Sequence, residues 1–441
     1  MDSSQTLHRD DLMKVLRATP TVARTGRLAQ AYGTTLRATG LEARIGDLCE
    51  IVDPNGRSLI RAEVVGLSGG DAILTPLDPL HGLAPGAEVR PLRDREAVPS
   101  GPGVIGRVLD AGGRPLDGLG EFAGPVMPCS IHAMAPDPMT RPPIGERIVT
   151  GIAAIDLMLS VGRGQRLGIF APAGVGKSTL LGLLARHSDA DAIVIGLIGE
   201  RGREVREMLA DNLGPDGLAR SVVIAATSDR PAMERVRAAY AATAIAEGFR
   251  AEGKRVLLLM DSITRFARAL REIGLSVGEA PVRRGFPSSV FAELPRLFER
   301  AGATEAGSIT AFYTVLVEDE EGDDPIAEEA RSILDGHIAL SRRMAQAGHY
   351  PAIDILGSVS RLFPRISSRE HVELAAKARD WLARHAELEF LIQVGEYRPG
   401  ADPAADEAVA RAPRLQALFR QGIDEAVPFA DAMAGLRRIA S

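Results

Sequence analysis

Nine consecutive residues, Ala171-Pro172-Ala173-Gly174-Val175-Gly176-Lys177-Ser178-Thr179, place two glycines ahead of a lysine and two hydroxyls. Glycine tolerates left-handed backbone, so Gly174 and Gly176 allow successive N–H groups to turn inward onto phosphate oxygens. Lys177 would then reach the β- and γ-phosphates of a nucleoside triphosphate, and the Ser178 hydroxyl would hold Mg²⁺. The apolar run TLLGLLARH that follows reads as a helix, and its N-terminus adds the positive end of a dipole. Ala171 stands where this phosphate-loop pattern usually opens with Gly, but only the start of the loop changes. The bland alternative, a glycine-rich turn that binds nothing, is disfavoured by the strand-like run RLGIFA (166–171) before it and the helix after it.

Two carboxylates complete a hydrolytic set. Asp261 closes the buried-looking run Leu257-Leu258-Leu259-Met260 and so falls at the carboxyl edge of a sheet, where ligands of open α/β sheets bind. Alone it would serve equally as a helix cap; beside a phosphate loop it becomes the residue that orders Mg²⁺ and its water. Glu200 lies in Gly199-Glu200-Arg201-Gly202-Arg203-Glu204, just past the apolar run 192–199, where it could polarise an attacking water. Spacing alone leaves open a solvated glutamate in a charged helix start.

The elements that must position these residues read as follows. Apolar, β-branched runs at 166–171, 192–199, 221–227, 255–260, 308–317 and 352–356 alternate with helical segments, the pattern of a parallel sheet buried on both faces. Between Gly26 and Leu92, short apolar runs separated by Gly, Asn, Asp and Pro turns predict a small antiparallel β-barrel. Residues 93–144 are rich in Gly and Pro and read as an extended connection. The last 75 or so residues read as helices, with Trp381 in their core. The expected fold is thus α/β: an N-terminal β-barrel (26–95), a central RecA-like P-loop domain with a mostly parallel sheet (96–365) and a C-terminal helical domain (366–441). A segment at 1–25 would be an interaction or oligomerisation element, or merely a frayed terminus.

Composition sets the outer limits. The 441 residues carry 52 Lys+Arg against 58 Asp+Glu, a net charge of −6 that argues against a nucleic-acid or anionic-membrane coat. The longest strongly apolar stretches are far below the roughly 18 residues needed to cross a bilayer. Two cysteines and eight histidines in no zinc spacing give neither a disulfide framework nor a metal cage, and the expectation is a cytoplasmic protein.

Longer motifs carry a resemblance. GRVLDAGGRPLDG (106–118), TGIAAIDLMLSVGRGQRLGIFAPAGVGKST, IGERGREVREML, ATSDRPAMERVRAAYAATAIAEGFR, LLLMDSITRFARALREIGLSVGEAP, HYPAID and GEYRPGADP together resemble the type III secretion ATPases, relatives of the rotary ATP synthase catalytic subunits. HYPAID, SRLFP and GEYRPGADP lean toward the injectisome branch over the flagellar one. The resemblance spans residues 25 to 425 and implies ATP and Mg²⁺ as ligands. It gives Glu200 the catalytic carboxylate role with Arg201 and Glu204 beside it, Glu204 near the metal. It sets Arg265 against the γ-phosphate and makes Arg361 a finger reaching into the neighbouring subunit's site. Tyr350 and Tyr397 become candidates to pack on adenine, although ordinary core aromatics would look the same. The resemblance also implies a cytoplasmic homohexamer, peripheral to the inner membrane. Its partners would be stalk and stator proteins, the export gate and chaperone–effector complexes, with no nucleic acid.

Where the family's loop usually carries Gly-Asp-Asp, this chain reads Glu318-Asp319-Glu320-Glu321-Gly322-Asp323-Asp324, a self-repelling acidic run in which the glycine follows four carboxylates. Among rivals, a rotary synthase catalytic subunit should carry an acidic DELSEED-type stretch, and HVELAAKARDWLARHAELEFL does not. A non-catalytic nucleotide-binding subunit should lack the carboxylate at Glu200. A termination-factor-like RNA translocase needs barrel aromatics, and residues 26–92 hold only Tyr32.

Overall fold

The computed structural model describes residues 25–92, 97–317 and 324–441. The N-terminal segment and most of the acidic run therefore lie outside the described residues, and of that run only Asp324 is placed, capping the helix Pro325–Ile333 through Ile326 N and Ala327 N.

The first unit is a closed barrel of β1 (Gly26–Tyr32), β2 (Thr35–Thr39), β3 (Leu48–Val52), β4 (Ser58–Ser68), β5 (Asp71–Pro76) and β6 (Glu88–Pro91), ordered β1-β2-β5-β4-β3-β6. Its strands alternate inward and outward, so Leu36, Ala38, Cys49, Ile51, Ala62, Val64, Ala72, Leu74 and Val89 fill the interior. Burial pushes the Cys49 thiol up to about 12, helped by the Asp47 charge, which leaves it inert.

The second unit begins with β7 (Ala97–Ser100), β8 (Val108–Leu109) and β9 (Met127–Ser130). This stretch does more than connect. β8 extends the main sheet by pairing with a later strand, and β7 pairs with β9. Arg107 pins the glycine-rich turns between them by a two-point ion pair to Asp117, at 2.7 and 3.0 Å.

The main sheet adds β10 (Arg166–Ala171), β11 (Ala192–Glu200), β12 (Ser221–Thr227), β13 (Arg255–Asp261), β14 (Gly302–Ala303), β15 (Ser308–Leu316), β16 (Gly336–Leu340) and β17 (Ile353–Ser360). Among the described residues it has nine strands in the order β17-β16-β10-β15-β13-β11-β12-β8, with β14 on β15. All pairs along that path are parallel except β16–β17, and β14 is antiparallel to β15. Every residue of β11 is buried, as the unbroken apolar run requires of a strand covered on both faces. The six runs read from sequence are all strands. β16, whose sequence GHIAL alternates buried and half-buried residues, was not among them.

Helices flank the sheet: α1 (Ala153–Met158), α2 (Lys177–His187), α3 (Gly202–Glu207), α4 (Ala232–Ala251) and α5 (Ile263–Ser276). The chain closes with α6 (Arg369–Gln393), α7 (Pro403–Phe419) and α8 (Phe429–Ala440). Trp381, Ala378, Leu415, Phe419 and Leu436 pack with Ile155 and Leu157 of α1 in one apolar core, which joins the terminal helices to the sheet domain. Arg411 lies over the Trp381 ring, 4.7 Å from its centroid.

Candidate nucleotide site

The register of four adjacent strands assembles the site. Ala171 at the end of β10 pairs with Leu316 of β15, Met260 of β13 with Tyr313, and Asp261 with Leu197 of β11. The phosphate loop, Thr314, Asp261 and Glu200 therefore meet at one carboxyl edge, the expected position for a ligand of an open α/β sheet. Gly174 and Gly176 have φ of 79° and 88°, left-handed values that a side chain would strain. Val175 between them is buried, while Ser178 and Thr179 are half-buried in the first turn of α2.

Charge in this cluster is concentrated and incompletely paired. The Lys177 ammonium donates to Asp261 Oδ1 and stands 3.8 Å from Glu200 Oε1, too far for a hydrogen bond. Thr314 Oγ1 also donates to Asp261 Oδ1, at 2.7 Å. Burial alone would lower the Lys177 pKa, but the charges of Asp261 and Glu200 outweigh it and hold the ammonium above its ordinary range. Glu200, only 7% exposed, is pushed up to about 7, first by burial and next by the Asp261 charge, with Lys177 pulling the other way. A hydrogen bond shared with Glu204 lowers that residue and adds to the rise of Glu200.

Arg265 at the start of α5 packs its side chain over Gly199, where an added Cβ would come within 3.0 Å of Arg265 Cβ. Its Nε is buried without a hydrogen bond, and so is Glu200 Oε1. One unpaired buried donor and one unpaired acceptor beside a phosphate-cradling loop fit a triphosphate and its attacking water. Among the described residues there is no group of three or more His, Cys, Asp or Glu side chains able to hold a metal. One serine hydroxyl, Ser178, and one carboxylate, Asp261, would hold Mg²⁺ only together with bound phosphate oxygens.

The remaining residues named from the sequence divide. Arg201 is exposed at the start of α3 and pairs with Glu204 at 3.4 Å. Tyr350 is brought in: its ring lies against the phosphate loop, 3.3 Å from where a Cβ on Gly176 would sit. Tyr397 is not. Its hydroxyl donates to Asp406 near the start of α7, whereas Tyr350 accepts from Gln421 just past the end of that helix. At 1.5 Å rise per residue those ends are about 20 Å apart, so Tyr397 belongs to the α6–α7 turn.

Arg361 lies at the far edge of the sheet. β17 runs antiparallel to β16, pairing Ser360 with Gly336, and Arg361 N donates to Asp335 O at 3.1 Å. Asp335 in turn accepts from Arg166 N at the start of β10, a full strand length, about 20 Å, from the phosphate loop. An exposed arginine so placed cannot serve its own protomer's site.

Sequence reasoning missed Thr314 and Gln421. Thr314, fully buried in SITAFYTVL, is a hydroxyl inside an otherwise apolar strand, a signal that it needs a partner. Gln421, 4% exposed, offered no such signal beyond its position between two helices.

Residues 151–360 match the nucleotide-binding domain of the ATP synthase alpha/beta family, residues 28–93 its beta-barrel domain, and residues 367–438 the C-terminal domain of the type 3 secretion ATPase EscN. Over 402 residues, 91% of either chain, the sequence is 54% identical to the type 3 secretion system ATPase of Xanthomonas euvesicatoria. The chain belongs to the type 3 secretion ATPase family. The flagellum-specific ATP synthase of Pseudomonas aeruginosa is 50% identical over 416 residues, 93% of this chain and 92% of that one. The assembled ATPase EscN of enteropathogenic E. coli superposes with a TM-score of 0.89 at 42% identity, covering 94% of this chain and 100% of that one. EscN in complex with its central stalk EscO gives 0.87 at the same identity and coverage.

Proposed function

We propose that this family member hydrolyses ATP to energise type III protein secretion, releasing chaperones from export substrates and unfolding them. The observation that carries this is the Lys177–Asp261–Glu200 cluster at the mouth of the phosphate loop, with Glu200 held near pKa 7 by burial. In the reaction, water attacks the γ-phosphorus, its proton passes to Glu200, and ADP leaves with the bridging oxygen. A carboxylate whose pKa lies near the working pH is a better acceptor for that proton than an ordinary glutamate. Lys177 turns from Asp261 to the β- and γ-phosphates, and the backbone N–H groups of 174–179 cradle them. Ser178 and Asp261 would hold Mg²⁺, which when bound would neutralise phosphate charge. Arg265 faces the γ-phosphate from α5, and the Tyr350 ring packs on the adenine.

The finger comes from outside. Arg361 is exposed on the opposite sheet edge, so it acts on the adjoining protomer, where such an arginine is worth about 10³–10⁵ in rate. Rings with sites at their interfaces follow, and a homohexamer is the expected assembly. Partners would be a stalk related to EscO, stator proteins, the export gate and chaperone–effector complexes at the cytoplasmic face of the inner membrane. None of the described helices is long and apolar enough to cross a membrane, which suits a peripheral attachment. The injectisome assignment rests on the C-terminal match and on the 54% against 50% identity; the flagellar export role is the second reading, favoured by how small that margin is.

The test is hydrolysis by Lys177→Ala, with folding checked by circular dichroism. Loss of turnover with an intact fold is expected; undiminished turnover would refute the assignment.

A further inference from the structure

The turn between α7 and α8 bonds to Tyr350, whose ring lies at the head of α2, and to Arg186 at that helix's other end, and one buried side chain holds the turn in place. Gln421 N donates to Tyr350 O at 2.8 Å, the backbone of the residue whose ring lies on Gly176. Two residues on, Ile423 O accepts from Arg186 in the last turn of α2, and Asp424 pairs with the same guanidinium at 3.2 Å.

The Gln421 side chain has no exposed work to do. Its Nε2 donates to Gly151 O at 2.7 Å and to Glu425 O, and its Oε1 accepts from Ala153 N at 3.2 Å. Every donor and acceptor of that amide is therefore directed at backbone, fixing the 421–425 turn onto the start of α1. His349, the residue before Tyr350, is tied to α7: its Nε2 lies 3.0 Å from Gln416 O. Tyr350 is 40% exposed, with little burial of its own to hold its ring over the glycine.

We infer that Gln421 is a positioning residue for nucleotide binding: its side chain anchors the turn whose backbone sets Tyr350 against the phosphate loop. It touches neither phosphate nor base and acts through Tyr350. The inference rests on the reading of Tyr350 as the adenine contact. It also makes the C-terminal helices part of the site's affinity, since a shift of α7 moves Gln421 and Tyr350 together.

The test compares Gln421→Met, which keeps volume and removes all three side-chain hydrogen bonds, with Tyr350→Ala and the double variant. Gln421→Ala serves as a second truncation should the methionine pack badly, and thermal melts establish folding. KM for ATP is expected to rise about ten-fold in each single variant with kcat within about two-fold of the parent, and the double variant should be no worse than Tyr350→Ala alone. Inhibition by inorganic tripolyphosphate, which has no base, should be unchanged. Multiplying effects in the double variant, an unchanged KM in both Gln421 variants, or a matching loss of tripolyphosphate inhibition would overturn the inference. An unchanged KM in Tyr350→Ala would refute the adenine reading itself and the inference with it, while Lys177→Ala still reports separately on hydrolysis.

Discussion

The strand β11 carries a carboxylate at each end, and the two have opposite fates. Asp191, immediately before it, accepts from Arg255 Nε at 2.9 Å and from Arg255 N at 2.8 Å, and this pairing lowers its pKa to about 2. Glu200, its last residue, is raised to about 7 with one oxygen unpaired. The same contrast holds along the sheet. At the amino edge, Arg166 meets Asp335 at 3.2 Å and Glu299 at 2.5 Å, so charge there is matched by charge. At the carboxyl edge, one ammonium serves two carboxylates, and Arg265 Nε has no acceptor. The amino-edge pairs serve the folded state, whereas the carboxyl-edge cluster is left unbalanced toward something it must bind.

The largest way to break this contrast is Glu200→Gln. It keeps the shape but removes the proton acceptor, so turnover should fall by about 10²–10⁴-fold while ATP still binds, measured as steady-state hydrolysis against retention of a fluorescent nucleotide.

The same substitution should stabilise the free protein. A pKa raised on folding contributes stability that is present below the unfolded value and lost as pH climbs through the folded one. The parent's penalty should therefore open between pH 4.5 and about 7 and be complete above that. Glu200→Gln should be more stable by about 3 kcal/mol at pH 8 and show no gain at pH 4, read from denaturant midpoints. Equal stability at both pH values would show that the site is not strained.

A smaller loss is expected from Thr314→Val, which deletes the hydroxyl donating to Asp261 and keeps the volume. Turnover should drop about ten-fold, with about 1 kcal/mol lost in stability. Least of all should come from Asp191→Asn. Its partner Arg255 is 40% exposed, and water screens the pair, so the cost should stay within about 1 kcal/mol at pH 7 and disappear as pH falls through about 2. A larger loss there would mean the amino edge is also under tension.

How much of this the sequence disclosed follows from the kind of signal each part leaves. Strands buried on both faces announce themselves as unbroken apolar runs, and AIVIGLIG and RVLLLM did so. β8 has two residues and no periodicity to read, and β16 contains Gly and His that look like a turn. Lys177, Glu200 and Asp261 were legible because each ends or follows a readable strand. Thr314 and Gln421 act through partners 53 and more than 60 residues away, a relation that only strand register and helix packing create. Arg361 was legible through its motif, but that it sits at the opposite edge from its own loop depends on β17 running antiparallel. Tyr397 misled because an aromatic in a glycine-rich turn looks the same whether it meets a ligand or a neighbouring carboxylate.

The central claim is that each site is made by two protomers, and mixing tests it most directly. Lys177→Ala and Arg361→Ala should each be inactive alone. Mixed in equal amounts and allowed to assemble, they should recover about a quarter of parental turnover, because random rings place an intact loop beside an intact finger at about one interface in four. A mixture as inactive as its components, or an Arg361→Ala protein active by itself, would contradict it.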